Sequence, residues 1–320
     1  MSKREKIHME DKPCPFGCAP NDEIVLVGND LLHELPGEFA VVKCKTCGLM
    51  RTNPRPTTES IGFYYPDDYG PYVGTKIKLK SGHCDTGIAN LFKSLIKKTV
   101  NFNTKPLPNL RPGKMLEIGC ASGSFLHEMA EKDWQVTGIE FSPEAAETVS
   151  ELGYQIHCGP LETAPTPKEN YDLIVGWMVL EHLYDPIVGL KKIREWANPN
   201  AWLVLSVPNA ASLEFKLFKD KWYALQVPTH LYHFTPQTLE KTLNASGWIL
   251  EKVYHQRVLT NLVVSTGYVL RKKGLVKLGN KLIDFPMHAG KWHYFLYPLS
   301  WLLSLFGQTG RMTVHARCKL

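Results

Sequence analysis

From residue 114 onward, short apolar runs alternate with stretches whose apolar residues recur at three- and four-residue spacing. Lys114–Ile118, Trp134–Ile139, Leu173–Gly176, Ala201–Val207 and Ile249–Arg257 predict strands. Ser124–Lys132, Pro143–Leu152, Pro186–Trp196 and Pro236–Ser246 predict helices, and Met312–Lys319 alternates as a strand should. Strands alternating with helices predict an α/β fold, a doubly wound and mostly parallel sheet covered on both faces. Ligands on such sheets bind beyond the carboxyl ends of the strands, at the switch point.

The first third of the chain reads differently. Ile24–Val27 and Phe39–Val42 are two apolar runs that predict a hairpin, and the turn cluster Thr52–Pro56 ends it. An aromatic, acidic patch follows over Phe63–Tyr69. A helix is expected near residues 87–100, with Ile88, Leu91, Phe92, Leu95 and Ile96 on one face. The proline-rich stretch 103–113 marks a boundary. The expected divisions are 1–56, a small module; 57–110, a connecting segment or lid; 111–261, the α/β core; 262–310, a hydrophobic and basic helical insertion; and 311–320, a last strand.

Composition narrows the classes. The chain has 320 residues, 44% hydrophobic and 21% charged, which excludes disorder, collagen and coiled coil. The charged start has no apolar core of a secretory signal. The longest nearly apolar stretch, Phe295–Phe306, is broken by Pro298 and Ser300 and is too short to span a bilayer. Eight cysteines are too few for a disulfide scaffold, so a cytoplasmic location is expected.

Four of those cysteines form two close pairs, Cys14/Cys18 and Cys44/Cys47. This is the pattern of a closed four-thiolate zinc site, structural rather than catalytic. Gly17 and Gly48 let the backbone curl around the ion, and a module this small needs such a staple. Cys84, Cys120, Cys158 and Cys318 are scattered and read as ordinary buried thiols.

The run Leu116–Leu126 passes from a strand through a small-residue turn into a helix. Such a turn lets backbone approach a ligand, and the helix start offers free N–H groups. As a dinucleotide fingerprint it is poor, because Ala121 and Ser124 stand where glycines belong. Glu117 would repel a pyrophosphate, whereas Glu140, ending the next strand, can accept from ribose hydroxyls. A nucleoside with a cationic second half suits the pair better than NAD does.

At these residues the chain resembles the class I S-adenosylmethionine-dependent methyltransferases, whose sheet is Rossmann-like. The resemblance implies that Glu117, Gly119, Ala121 and Gly123 cradle the amino-acid part of the cofactor and Glu140 its ribose. It places Leu161, in Cys158–Glu162, near the adenine. Tyr171–Leu183 resembles the family's fourth strand and the segment after it, and within it Trp177 is a candidate wall of the cofactor site. Tyr65 is a second candidate wall, since aromatic faces attract a sulfonium. Met312–Lys319 resembles the family's last, antiparallel strand.

A weakly acidic acceptor such as a sugar hydroxyl needs a base, and His182 leads because it follows the fourth strand and titrates near neutrality. In the resembling family the loop Pro228–Pro236 closes over the acceptor, which makes His230, Tyr232 and His233 further catalytic candidates. The cysteine pairs, CGLMRTNPRP and the aromatic patch together resemble enzymes of bacterial surface-glycan and antibiotic pathways. Some of those are sugar C-methyltransferases with a further large C-terminal domain. That domain is not in this sequence, so O-methylation of a glycan hydroxyl is expected, with C-methylation or another small-molecule acceptor as the alternative.

Charge adds one more expectation. The net charge is +6, but residues 71–114 and 262–320 each hold nine Lys/Arg against one Asp, so the rest is net acidic. Two surfaces of this kind suit an anionic partner. Within 262–310, Leu275, Leu278, Leu282 and Phe285 share a helical face among lysines, and Trp292–Phe306 is apolar nearly all round. A peripheral contact with an anionic inner membrane surface is expected there, or a homodimer contact or a lid on the core. The acceptor would then be a sugar or a lipid-linked glycan. A zinc-module RNA-binding protein and a non-catalytic scaffold are the rival classes, and no nucleic-acid motif supports the former.

Overall fold

The computed structural model describes residues 7–66, 100–288 and 292–319. The expected helix near 87–100, the end of the aromatic patch at Asp67–Tyr69, and Cys84 lie outside them. The strands are β1 (Met9–Glu10), β2 (Asp22–Gly28), β3 (Phe39–Cys44), β4 (Met50–Thr52), β5 (Arg55–Pro56), β6 (Lys114–Ile118), β7 (Gln135–Glu140), β8 (Gln155–Cys158), β9 (Tyr171–Trp177), β10 (Ala197–Pro208), β11 (Tyr232–His233), β12 (Trp248–His255) and β13 (Arg311–Cys318). The helices are α1 (Ser124–Ala130), α2 (Pro143–Glu151), α3 (Pro186–Glu195), α4 (Leu213–Phe218), α5 (Pro236–Ala245), α6 (Thr260–Lys272), α7 (Val276–Ile283), α8 (Phe285–His288) and α9 (Trp292–Leu305).

Seven strands form the main sheet in the order β12-β13-β10-β9-β6-β7-β8. The ladders among β8, β7, β6, β9 and β10 are parallel; β13 runs antiparallel between β10 and β12. The expected Rossmann-like sheet is therefore present, with its switch point between β6 and β9. Central strands are apolar on both faces, as Leu173, Ile174 and Val175 of β9 show, because helices cover both sides. Each of three helices starts where its sequence provides a cap and a proline: Ser142 before Pro143, Asp185 before Pro186 and Thr235 before Pro236.

The predicted hairpin is β2–β3, but it does not close a core of its own. Ile24 and Val27 face solvent, while Phe39, Val41 and Met50 pack with Trp222, Leu225 and Val227 from the far half of the chain. The second sheet has the order β11-β4-β3-β2, so Tyr232–His233 is its fourth strand. The front module and the core thus share one sheet and one apolar cluster. A hairpin with few apolar residues gains more by burying them against the larger body than by packing alone.

One expectation changes. Cys158 is exposed, because β8 is a short edge strand, while Cys120 and Cys318 are buried as expected. The insertion starts with α6, whose Gly267 crosses Gly279 of α7 so closely that a Cβ on either would meet the other's backbone within 2.8 Å. Among the described residues no helix is long and apolar enough to cross a membrane.

Candidate active site

The carboxyl ends of β6, β7 and β9 gather the cofactor candidates. Gly119 takes φ +65°, and a Cβ there would lie 2.5 Å from the Val179 side chain, so only glycine fits. Ala121 also has positive φ, +46°, a conformation that costs an L-residue on the order of 1 kcal/mol. Its N–H donates to Glu140 Oε2 at 2.8 Å, and the Ser142 N–H donates to Oε1 at 2.9 Å. Two backbone donors therefore pin the Glu140 carboxylate, and each oxygen keeps lone-pair capacity for a further donor.

Glu117 is buried, and its Oε2 has no partner; Trp177 Nε1 is likewise buried and unpartnered. Burial pushes the Glu117 carboxyl up to about 8, Lys105 opposing and Glu140 reinforcing the shift. Lys105 Nζ lies 4.5 Å from the Phe125 ring centroid and 5.4 Å from that of Trp177. A cation thus already rests on aromatic faces of this cleft, its pKa lowered by burial and supported by Glu117 and Glu128. Orphaned buried polar atoms, a pinned carboxylate and a cation-holding aromatic pair are what a sulfonium nucleoside requires. Leu161 differs from its expectation: its side chain packs with Leu190 and Ile193 in the main core, so only its backbone is available to a base.

Beyond β9, the single turn Leu180–His182 carries the acid–base candidates. His182 Nδ1 is 2.9 Å from the Thr229 carbonyl oxygen and 2.9 Å from the Tyr65 hydroxyl. A carbonyl only accepts, so Nδ1 carries the proton and Nε2 is the basic nitrogen. Burial pulls His182 down to about 4, with the Thr229 contact opposing. The His182 and His230 rings meet edge to face with centroids 4.7 Å apart. His230 Nδ1 donates to the Ala224 carbonyl at 3.0 Å; burial, then His182 and His233, hold it well below its ordinary range.

Glu181, wholly buried, has no partner for either carboxylate oxygen, and burial pushes it up to about 8. Glu181, His182 and His230 each offer a donor atom, all within 4.8 Å of one another, a set that could hold a divalent cation.

Tyr232 and His233 have a different employment from the one expected. His233 Nε2 is 3.1 Å from Thr52 Oγ1, and that hydroxyl donates to the His230 carbonyl at 2.7 Å. Tyr232 Oη donates to the Tyr184 carbonyl at 3.1 Å and accepts from Arg55 at 3.4 Å. Both side chains are buried in the seam between the small sheet and the core. The Pro228–Pro236 segment, expected to close over an acceptor, here contains a strand paired with β4, and that pairing places both side chains in the seam.

The four cysteine sulfurs Cys14, Cys18, Cys44 and Cys47 lie within 4.8 Å of one another, none in a disulfide, with Cys14 and Cys47 at 3.5 Å. Tetrahedral zinc places its sulfurs about 3.8 Å apart, so the donor set fits that ion. Tight turns deliver them: Gly17 N–H donates to the Cys14 carbonyl and Gly48 N–H to that of Cys44. Although burial opposes it, the Cys47 and Thr46 amides bring Cys44 down to about 7. Lys241 of α5 donates to the Cys47 carbonyl at 2.9 Å, which seats the cysteine loop on the core.

Residues 89–253 match the methyltransferase domain family, a little over half of the chain. The chain belongs to that family. It is similar to a ubiquinone biosynthesis O-methyltransferase of Azorhizobium caulinodans, 26% identical over 163 residues, covering 47% of this chain and 62% of the relative. A mitochondrial relative of the same name from Schizosaccharomyces pombe is 29% identical over 157 residues, 44% of this chain and 56% of the relative. The chain spans about half to two thirds of the length of these curated relatives. Among solved structures, the [4+2]-cyclase SpnF is similar at TM-score 0.49 and 16% identity, covering 83% of this chain and 97% of that one. A methyltransferase from Mesorhizobium loti follows at 0.43 and 16%, covering 66% and 93%.

In this member of the methyltransferase domain family the candidate cofactor end is legible as a strand–turn–helix motif. Lys105 and Glu181 were missed as site residues: Lys105 sits in a proline-rich boundary, and nothing local marks Glu181 as wholly buried. The sequence marks Tyr65 only as a candidate wall; its contact with His182, more than a hundred residues away, comes from the fold.

Proposed function

We propose that this chain is an S-adenosylmethionine-dependent O-methyltransferase that methylates a hydroxyl of a sugar or lipid-linked glycan, with Glu117, Glu140 and Trp177 holding the cofactor. The observation that carries this reading is the neutral His182 imidazole, fixed by Thr229 and Tyr65 one turn beyond the strand that carries Trp177. S-adenosylmethionine, when bound, supplies the electrophilic methyl group. The protein's part is alignment, exclusion of water and the fate of one proton. The Thr229 contact leaves Nε2 of His182 as proton acceptor. An oxygen becomes strongly acidic as it is alkylated, so a base held near 4 is strong enough to take its proton late in the reaction. Tyr65 meets the same nitrogen, Nδ1, at 2.9 Å, which brings the connecting segment into the proposed active site.

A second reading takes the acceptor from the curated relatives, whose names place them in ubiquinone biosynthesis. Both readings put the methyl group on oxygen. Methyl-labelled S-adenosylmethionine, incubated with the protein and with separated lipid-linked glycans or ubiquinone precursors, distinguishes them. Label in the glycan fraction supports the first reading, label in the quinone precursor the second, and label in neither sinks both. His182→Gln is expected to cut turnover by a factor on the order of 10² to 10⁴ while leaving S-adenosylhomocysteine affinity unchanged. Equal loss of binding would show that His182 only supports the fold.

A further inference from the structure

The helix α9 is built inside out. Its inward face is polar: Ser300 Oγ donates to the Arg257 carbonyl at 2.9 Å, and Tyr297 Oη accepts from the Arg257 guanidinium at 3.1 Å. Ser304 is buried on the same side and accepts from Arg257 Nε at 3.4 Å. The outward stripe, at helical spacing, is Trp292, Phe295, Leu299, Leu302 and Phe306 just past the helix end, from 47% to 74% exposed. An ordinary surface helix buries the apolar stripe and shows the polar one. Here hydrogen bonds, with Phe102 packed edge to face on Tyr297 at 5.2 Å, fasten the helix to the body and leave its apolar stripe outward.

The neighbouring helix repeats the arrangement. The close Gly267–Gly279 crossing fixes α7 against α6 and leaves Leu275, Val276 and Leu278 exposed. Around them stand Lys272, Lys273, Lys277 and Lys281, all exposed, and no carboxylate among the described residues pairs with them. Arg271 is different, because it is paired with Glu34. α8 joins the two regions: Phe285 packs edge to face on His293 of α9 at 5.5 Å. Aromatic and aliphatic side chains next to unpaired lysines are the composition of a surface that lies in the headgroup layer of an acidic bilayer.

We propose that α7 and α9 form a peripheral docking surface for an anionic phospholipid bilayer, the apolar stripe entering the interface and the lysines resting on the headgroups. Binding is independent of methyl transfer, so its test does not rest on the function proposed above. The test is flotation of the full chain with vesicles of phosphatidylcholine alone or with about 30% phosphatidylglycerol. The anionic vesicles are expected to bind about tenfold or more tightly, an advantage that shrinks as salt is raised. Phe295→Ser with Leu299→Ser, both at exposed positions, should reduce binding at least about tenfold to either vesicle. Lys273→Glu with Lys277→Glu should abolish only the preference for anionic lipid. Unchanged circular dichroism and thermal unfolding of each variant confirm that the fold is kept. The proposal is overturned by no flotation at millimolar lipid, or by flotation that neither pair of substitutions alters. A dimer in sedimentation velocity that Phe295→Ser dissolves, without lipid binding, would assign the surface to a second copy instead.

Discussion

Glu117 shows how far one buried carboxyl can report on the cofactor site. Its pKa, raised to about 8 chiefly by burial, means that the free protein holds it largely protonated at neutral pH. A bound ammonium or sulfonium favours the ionised form, so binding must release a proton. S-adenosylhomocysteine is therefore expected to bind more tightly as pH rises from 6.5 towards 8, by up to about tenfold per unit. Calorimetry in buffers of different ionisation enthalpy should show the released proton, and Glu117→Gln should remove both effects. Glu140→Ala should weaken binding at every pH and, by removing a charge that helps raise Glu117, move the pH-dependent rise to lower pH. Lys105 makes a separate prediction, since its ammonium already lies over Phe125 and Trp177. Lys105→Met should tighten S-adenosylmethionine severalfold, about 1 kcal/mol, and improve the neutral-sulfur product less. An equal or opposite change would show that Lys105 does not compete for the charge.

At the scale of elements, the small sheet joins the front of the chain to its second half. β4 pairs with β3 on one side and β11 on the other, and the cysteine loop rests on α5 through Lys241. If the four thiolates hold zinc, its removal is felt beyond the front module. One zinc per chain is expected by metal analysis, falling in Cys44→Ser. Chelation should speed hydrogen exchange not only in Met50–Thr52 but also in Tyr232–His233, although 180 residues separate them. Exchange confined to the front module would contradict this coupling. Exposed Ile24 and Val27 make the same point, for the hairpin alone lacks a core.

For the whole molecule, buried histidines and buried glutamates set opposite limits on stability with pH. His182, at about 4, and His233, at about 3, are held neutral mainly by burial, below their ordinary 6.5. Their contribution is present above 6.5 and is lost as pH falls through the folded-state values. Glu117 and Glu181, at about 8, and Glu214, at about 7, are raised above 4.5, again mainly by burial. Their contribution is present below 4.5 and is lost as pH rises through 7 to 8. The two slopes oppose one another between 4.5 and 6.5, so urea midpoints should be broadest and highest there and fall on either side. His233→Gln should lower the plateau by about 1 kcal/mol, through loss of the buried bond from Nε2 to the Thr52 hydroxyl, and flatten the acid limb. A steep fall between 5 and 6 would show that the glutamates do not balance the histidines.

The sequence by itself determined the alternation of strands and helices, the caps that start α2, α3 and α5, the turn after β6 and the two cysteine pairs. Each of these is a local property: periodicity, a side chain bonding its own backbone, a glycine at positive φ, or ligands one turn apart. β8 escaped because four residues on an edge carry almost no pattern. Only the tertiary structure decided that Tyr232 and His233 join the small sheet, that Tyr65 meets His182 and that Lys105 enters the cofactor cleft. It also turned the apolar stripe of α9 outward, with Arg257 hydrogen bonds and the Phe102 ring holding the other side. Those contacts join residues up to about 180 positions apart, and a long-range contact leaves no trace in the spacing of neighbours.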